Sequence, residues 1–278
     1  MEPDGSVDFW YCIDNLDDIP EGESTNRLLS TDLAVQRAGD AITIRAAGRP
    51  LPVRHRYGYL WTTLGRPAGE VVDIPEADEP DRRHVPCGAI RVQAAGPRVV
   101  ENFLDLAHFP FVHTDILGAE PHTEVLSYTS EIRRDVDEVW ATECSFVQPK
   151  AAHAATGAIR TDYAYRVATP FVAVLYKTCP VAEGRWDAIA LFVQPVEPGR
   201  TRAHPAMFLI DDTATQAELI GFQQVIFLQD KIILENQRPV PLPLEPRAEI
   251  PTRADSISVA YRRWLKEKGV TFGTSAAA

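Results

Sequence analysis

The sequence predicts an α+β fold, in which antiparallel strands carry a few helices gathered on one side. Residues 1 to about 90 alternate between short strands and turns, a series of longer strand patterns follows, and helical patterns close the chain. With 278 residues and 45% hydrophobic content, the chain can bury a sizeable core in one large domain or two interlocked ones.

The later elements follow in a clear order. Pro97 is expected to open a first helix that runs to about Phe109. Strands are then expected at Glu124–Arg133, Glu138–Phe146, Arg160–Ala168, Phe171–Thr178, Asp187–Pro195 and Thr201–Ile210. Val196–Gly199 is a good hairpin turn between the last two strands. A long helix at Thr215–Gln237 and a shorter one at Ala254–Lys268 complete the layout.

The long helix places a carboxylate on an apolar face. It begins with a capping box formed by Thr215 and Glu218. Its apolar stripe consists of Leu219, Phe222, Ile226 and Ile233. Asp230 falls within that stripe, and a buried carboxylate costs several kcal/mol unless it is paired or bound to a metal. Asp230 is therefore either salt-bridged to an arginine, such as Arg262 or Arg263, or a metal ligand.

Two histidines, His108 and His113, lie five residues apart in an otherwise apolar stretch. On an ideal helix five residues advance about 500°, which leaves the two imidazoles roughly 140° apart and unable to share an ion. Pro110 lies between them and cannot donate a helical hydrogen bond, so we expect the helix to open there into a wider, π-like turn. Such a turn would bring the two rings towards one side. The interrupted helix therefore indicates a site.

Two histidines and one carboxylate with open coordination positions suit non-haem Fe(II) that activates O2. Zinc accepts the same ligands and is the competing choice, with metal-assisted hydrolysis as its chemistry. The usual hydrolytic motif H-E-x-x-H is absent from the sequence. The residues between the histidines, 109–112, are all apolar and suit a pocket for an aromatic or heterocyclic substrate. These features favour iron.

Composition limits the other functions. A net charge of −11 and a pI of about 5.1 argue against a nucleic-acid partner. The sequence has no apolar run long enough to span a membrane and no recognisable signal peptide. Four scattered cysteines fit a reducing cytoplasm. We also expect Tyr163 and Tyr165 to fill the core, and the histidines outside the motif to lie in surface loops or at strand ends: His122, His153 and His204.

Four segments carry a resemblance to a known family. They are Arg56–Gly65, Glu101–Gly118, Phe227–Gln237 and Ser256–Leu265. Together they resemble the Rieske non-haem iron oxygenases, and most closely the O- and N-demethylase branch that includes vanillate, dicamba and caffeine demethylases. The resemblance implies a helix-grip catalytic domain over residues 93–270, after a truncated Rieske-like β domain over residues 1–92. Residues 271–278 are expected to be a disordered tail.

The same resemblance implies roles for individual residues. His108, His113 and Asp230 would hold the iron. Asp105 would be the bridging aspartate through which an electron reaches an iron-bound histidine, and Asn102 would lie beside the metal.

The sequence departs from the family in one respect. Family members hold a [2Fe–2S] cluster with C-x-H and C-x2-H pairs, but no cysteine here has a histidine two or three residues after it. Between Asp32–Arg37 and Tyr57–Leu60 there is no room for two cluster loops. We therefore expect no [2Fe–2S] cluster in this chain, and electrons from a separate Rieske protein, ferredoxin or reductase.

The sequence thus predicts an oxygenase component that hydroxylates or demethylates a small aromatic or heterocyclic substrate with Fe(II) and O2. The alternative is a catalytically silent binding or assembly subunit that kept the fold. We expect an oligomer, either a homotrimer or a hetero-oligomer.

Overall fold

The computed structural model describes residues 4–149 and 159–275. The N-terminal part is built from short strands: β1 (Tyr11–Asn15), β2 (Gly22–Leu28), β3 (Thr31–Ala38), β4 (Ala41–Ala46), β5 (Arg49–Leu51), β6 (Val53–Arg56) and β7 (Tyr59–Thr62). They form two small antiparallel sheets, ordered β1-β7-β6 and β2-β3-β4-β5. Tight turns join several of these strands. Tyr57 and Gly58, both at positive φ, form the turn between β6 and β7.

A large antiparallel sheet forms the centre of the protein. Its strands are β8 (Arg83–Pro86), β9 (Ile90–Val92), β10 (Thr129–Arg133), β11 (Glu138–Gln148), β12 (Ile159–Thr169), β13 (Val172–Thr178), β14 (Trp186–Glu197) and β15 (Arg200–Leu209). They are ordered β10-β11-β12-β13-β14-β15-β8, and β9 also pairs with β15. Each of the six strands expected between residues 124 and 210 is present, and the hairpin at Val196–Gly199 joins β14 to β15. The main difference is that the first of them starts at Thr129 rather than Glu124.

The helices lie in the order α1 (Gly96–Leu104), α2 (Phe109–Val112), α3 (Gln216–Asn236) and α4 (Ser256–Glu267). The α+β prediction is therefore confirmed. Among the described residues no helix is long and apolar enough to cross a membrane.

Apolar clusters cover both faces of the large sheet. One cluster packs α1, α3 and α4 with Tyr165, Val193 and Phe227, and it also includes apolar residues of β1 to β5. The other face packs against the N-terminal strands, where the Trp61 and Phe192 rings lie 4.8 Å apart between centroids. Successive side chains of a strand point to opposite faces, and neighbouring residues such as Phe192 and Val193 are both apolar. The sheet is therefore apolar on both sides.

Ion pairs hold α1 against α4. Arg262 on α4 donates to Glu101 on α1 at 2.5 Å, and it also donates to Glu249 at 2.5 Å. Arg98 on α1 donates to the same Glu249 at 3.1 Å. These charges are largely buried and each is paired, which is the condition under which buried charges are tolerated. They fix α1, whose last turn leads into the candidate site.

The first helix differs from the prediction. It ends at Leu104 instead of continuing to Phe109, and Asp105 has an extended backbone with ψ of 125°. A short side chain of this kind competes for backbone hydrogen bonds, and the Asp105 carboxylate accepts one from the Ala107 N–H at 2.8 Å. Pro110 then lies in the first turn of α2, where its missing N–H is not needed. The expected π-like turn does not form.

The long helix has its predicted start but a different buried face. The capping box of Thr215 and Glu218 is present. Ile226 is only partly buried and Ile233 is 45% exposed, so the predicted stripe is wrong at these positions. The buried positions of α3 are Leu219, Gln223, Phe227, Asp230 and Leu234. α3 has apolar residues on both faces, so its periodicity does not decide which of two neighbouring stripes is buried. Asp230 belongs to both the predicted stripe and the observed buried face.

Two further expectations are corrected. Residues 271–275 are not a disordered tail, because β17 (Thr274–Ser275) pairs in parallel with β16 (Leu242–Pro243); residues 276–278 lie outside the described residues. His204 is fully buried in β15, where its Nε2 donates to Gln194 Oε1 at 3.1 Å. The adjacent Pro205 had indicated a position at the surface. The hydrogen bond to Gln194 instead allows the imidazole to be buried. His122 is exposed as expected, and His153 lies outside the described residues.

Candidate metal centre

The structure brings His108, His113 and Asp230 together. His108 Nε2 lies 3.1 Å from His113 Nε2 and 3.3 Å from Asp230 Oδ1, and His113 Nε2 lies 3.0 Å from the same oxygen. Among the described residues, these three form the one group of histidine, cysteine and carboxylate side chains close enough to share an ion. Two ligand atoms come from the ends of α2 and the third from the inner face of α3.

The triangle of donor atoms fits a metal ion. Metal bonds of about 2.1 Å at right angles to one another set neighbouring donor atoms about 3.0 Å apart. The observed edges of 3.0 to 3.3 Å match that spacing. Three donors with this spacing would occupy one face of a six-coordinate ion. The spacing accommodates Fe(II) and Zn(II) alike, so the geometry alone does not choose between them.

The short helix α2 explains how two histidines five residues apart can meet. His108 precedes its first residue and His113 follows its last, and the two ring centroids lie 5.0 Å apart. His108 keeps a helical backbone (φ −77°, ψ −16°), whereas His113 leaves the helical conformation (φ −111°, ψ 41°). The 140° separation expected on a continuous helix therefore does not apply.

Asp105 orients the His108 ring. Its Oδ2 lies 3.1 Å from His108 Nδ1, while its Oδ1 is held by the Ala107 N–H. A proton on Nδ1 that is donated to this carboxylate directs the lone pair of Nε2 towards the centre. The Asp105 side chain is 27% exposed, whereas the His108 side chain is 12% exposed. Asp105 thus connects a buried histidine to the protein surface.

Gln229 orients the His113 ring as Asp105 orients the His108 ring. The sequence did not indicate this residue. Its Oε1 lies 2.8 Å from His113 Nδ1 and accepts the proton there. The His113 Nε2 lone pair then faces Asp230 and His108. Gln229 directly precedes Asp230 in α3, so it was adjacent to a predicted ligand. A glutamine on a helix nevertheless has no signal that distinguishes it from a surface residue.

Asn102 lies beside Asp230, and the arginines that could have paired with Asp230 lie elsewhere. Asn102 Nδ2 is 3.5 Å from Asp230 Oδ1, at the limit of a hydrogen bond. The alternative salt bridge of Asp230 is not formed, since Arg262 pairs with Glu101 and Glu249, and Arg263 lies 3.8 Å from Glu267. The charged partners of Asp230 in the described structure are the two histidines.

The charges of the centre support one another. Burial alone would lower the pKa of His108, but hydrogen bonds to Asp105 and Asp230 outweigh it and raise that pKa to about 9. Burial would raise the pKa of Asp230, and hydrogen bonds from the two histidines lower it instead. A metal ion needs a neutral imidazole and an ionised carboxylate, so metal binding displaces a proton from this centre.

Aromatic side chains surround the histidines. Phe109 lies 5.7 Å from Phe146 and 6.3 Å from Tyr163 between ring centroids. A Cβ at Gly118 would lie 2.8 Å from the backbone nitrogen of Pro110, so only glycine allows the following loop to close over α2. The centre is thus backed by an apolar wall. Of the four apolar residues between the histidines, Phe109 and Pro110 are buried there, whereas Phe111 is 72% exposed, so the expected lining is only partly present.

Comparison with known proteins shows the family. Residues 92–270 match the model for the vanillate O-demethylase oxygenase C-terminal domain. The chain belongs to the vanillate O-demethylase oxygenase family. The family and the enzyme class expected from the sequence, a non-haem iron oxygenase of the demethylase branch, are thereby confirmed.

Relatives with a full-length match refine this relationship. A probable methylxanthine N7-demethylase, NdmC, from Pseudomonas sp. (strain TJI-51) is 47% identical over 272 residues, which cover 97% of this chain and 96% of that protein. Methylxanthine N1-demethylase NdmA from Pseudomonas putida is 25% identical over 220 residues, covering 76% of this chain but 58% of that protein.

Solved structures share the fold. Pseudomonas putida CBB5 NdmA with caffeine superposes with a TM-score of 0.78 at 19% identity, covering 95% of this chain and 91% of that chain. Dicamba monooxygenase bound to dicamba superposes with a TM-score of 0.72 at 15% identity, covering 95% and 97% of the two chains. The antiparallel sheet with a long C-terminal helix is therefore the fold of these oxygenases.

Proposed function

We propose that this chain is the oxygenase component of an N-demethylase that acts on a methylated xanthine. The observation that carries the proposal is the triangle of His108, His113 and Asp230, with the Asp105 carboxylate bound behind His108. The substrate class is taken from the 47% identical relative, whose name specifies methylxanthine N7-demethylation.

We propose that Fe(II) is the ion held at this triangle. Two neutral imidazoles and one carboxylate are the donor set of non-haem iron oxygenases, and family membership supports iron over zinc. When bound, Fe(II) supplies the redox chemistry that O2 activation requires. The protein's own contribution is to hold the Nδ1 protons of the two histidines on Asp105 and Gln229, and to exclude water with the Phe109 wall.

The overall reaction would balance as follows. One N-methyl group, one O2, two electrons and two protons give the demethylated N–H compound, formaldehyde and water. The carbon–hydrogen bond of the methyl group is oxidised, and the resulting hydroxymethyl group leaves the nitrogen as formaldehyde. Because two electrons enter from outside, we propose a separate Rieske protein, ferredoxin or reductase as donor. Asp105, which reaches the surface, is the proposed point of entry towards His108.

We further propose that the protein works in the cytoplasm, since its four cysteines are buried free thiols. We also propose a domain boundary at residues 92–93. The N-terminal strands and the catalytic sheet share two apolar clusters, so they form interlocked rather than independent units.

The first experiment is to measure metal and acid-labile sulfide in protein purified without oxygen. We expect about one iron per chain and no sulfide. The second is to supply 7-methylxanthine, O2 and a reducing partner and to measure formaldehyde. Zinc, or no metal after Fe(II) is offered, would overturn the oxygenase proposal and favour hydrolysis or a purely binding role. Bound iron without formaldehyde from any methylxanthine would overturn the proposed substrate.

A further inference from the structure

Two buried phenols near the metal centre, Tyr163 and Tyr165, have no hydrogen-bond partner among the described residues. Tyr165, in the middle of β12, has a relative exposure of 0%, and its hydroxyl makes no hydrogen bond within residues 4–149 and 159–275. Burying a hydroxyl without a partner costs about 1–3 kcal/mol in proteins. Tyr261, another fully buried phenol, donates to the Pro170 carbonyl oxygen at 2.7 Å, as is usual for a buried tyrosine.

Tyr165 faces the segment that carries the candidate ligands. Its ring meets Phe103 edge to face at 6.3 Å, and Phe103 lies in α1 between Asn102 and Leu104. On the same face of β12, Tyr163 stacks against Tyr165 at 6.4 Å and contacts Phe109 at 6.3 Å. Phe109 in turn contacts the His108 ring at 5.1 Å. A chain of ring contacts thus links Tyr165, through Tyr163 and Phe109, to the candidate ligand His108.

The electrostatic surroundings agree with this position. Burial, with smaller contributions from the neighbouring Tyr163, Cys144 and Asp105, raises the pKa of Tyr165 well above its ordinary value. The phenol therefore keeps its proton and can act as a hydrogen-bond donor at any physiological pH.

We propose that the Tyr165 hydroxyl is a substrate-positioning group that donates a hydrogen bond to a carbonyl oxygen or ring nitrogen of the methylated xanthine. The inference rests on the proposed function. Phe103, which the Tyr165 ring contacts, is only half-buried and belongs to the helix that also carries Asn102. A pocket that is otherwise apolar gains its orientation and selectivity from a few such polar groups. The unpaired hydroxyl costs stability in the free protein and is satisfied when substrate binds.

The test compares Tyr165→Phe with wild type and with Tyr261→Phe. The ligand is 7-methylxanthine, titrated by calorimetry against Fe(II)-loaded protein without oxygen or reductant, so that only binding is measured. Urea unfolding of the ligand-free proteins is the second readout. We expect Tyr165→Phe to weaken binding about 3- to 10-fold while its stability is unchanged or higher. Tyr261→Phe, which loses a real hydrogen bond, should be less stable and bind as tightly as wild type.

Each other result has a distinct meaning. If Tyr165→Phe binds as tightly as wild type, the positioning role is overturned while the proposed function stands. If it loses as much stability as Tyr261→Phe, the hydroxyl has a structural partner, such as a buried water, and the proposal is again overturned. If wild-type protein loads iron but binds no methylxanthine, the proposed substrate fails, and the role of Tyr165 towards that substrate fails with it.

Discussion

Replacing Gln229 by leucine should weaken metal binding without unfolding the protein. The substitution removes the acceptor that lies 2.8 Å from His113 Nδ1 and keeps a side chain of similar length. In the metal-free protein, the His113 ring can move its proton to Nε2 and pair with Asp230 instead. In the metal-bound protein the proton must stay on Nδ1, where leucine offers no acceptor. The substitution therefore destabilises the metal-bound state more than the metal-free state, and metal affinity falls.

The magnitude follows from the burial of this ring. His113 is 1% exposed, so water cannot replace the lost acceptor. An unpaired buried donor costs about 1–3 kcal/mol, which corresponds to roughly 5- to 150-fold in Kd. Substitutions of residues that orient a metal ligand typically cost about 10- to 100-fold. We therefore expect the Kd for the metal to rise about 10- to 100-fold.

Two matched variants separate this effect from a general disturbance of α3. Gln229→Glu keeps an acceptor for Nδ1 and should retain or improve the affinity. Gln224→Leu, on the same helix, removes a hydrogen bond of 2.9 Å to the Cys87 carbonyl that has no contact with the centre. It should cost about 1 kcal/mol of stability and leave the metal affinity unchanged.

The assay is an anaerobic titration of Fe(II), or of Co(II) as a redox-stable substitute, against a chromophoric chelator. An unchanged Kd for Gln229→Leu would refute the reasoning. Equal losses in Gln229→Leu and Gln224→Leu would also refute it, because the cause would then be the helix and not the histidine.

Three further outcomes are expected. Asp230→Ala should abolish stoichiometric iron binding, because it removes one of three donors; protein that still retains one iron per chain would contradict the assignment. Asp105→Ala, assayed at saturating iron, should slow partner-supported turnover about 10- to 100-fold with iron still bound; an unchanged rate would exclude the proposed electron entry. His204→Gln should reduce the acid sensitivity of folding. Burial lowers the pKa of His204 to about 3, against about 6.5 unfolded, so its stabilising contribution is complete above pH 6.5 and is lost as the pH falls below that value. Between pH 7 and pH 5 the urea-unfolding free energy of wild type should fall by about 2 kcal/mol more than that of the variant, and parallel curves would contradict this.

Local patterns predicted most of the fold. The strands from β11 to β15 have alternating or continuous apolar runs, and their turns contain the expected glycine and proline residues. The start of α3 was predictable because Thr215 and Glu218 satisfy each other's backbone donors. The inward direction of Asp230 was also predictable, since the predicted stripe and the observed buried face of α3 both include it.

The remaining features depend on contacts that sequence spacing does not contain. The end of α1 at Leu104 depends on the local hydrogen bond made by Asp105, which outweighs a good helical pattern. The burial of His204 depends on Gln194, which belongs to the neighbouring strand. The meeting of His108 and His113 was expected for the wrong reason, because a break before His108 brought the rings together rather than a wider turn at Pro110.

The packing behind the large sheet decides which parts of the chain can be removed. Residues of β7 cover one face of the large sheet, where Trp61 and Tyr59 pack against Phe192. Several connections in this module are short: two residues join β3 to β4, and two join β4 to β5. Loops at such positions can be excised at little energetic cost, because they bury little surface.

The strands themselves are not dispensable in the same way. Cutting the chain at residue 92, where the family match begins, would expose the apolar rear of the sheet to water. The catalytic segment expressed alone should therefore aggregate. A module that has no cluster ligands remains necessary as a cover for the sheet that supports the metal centre.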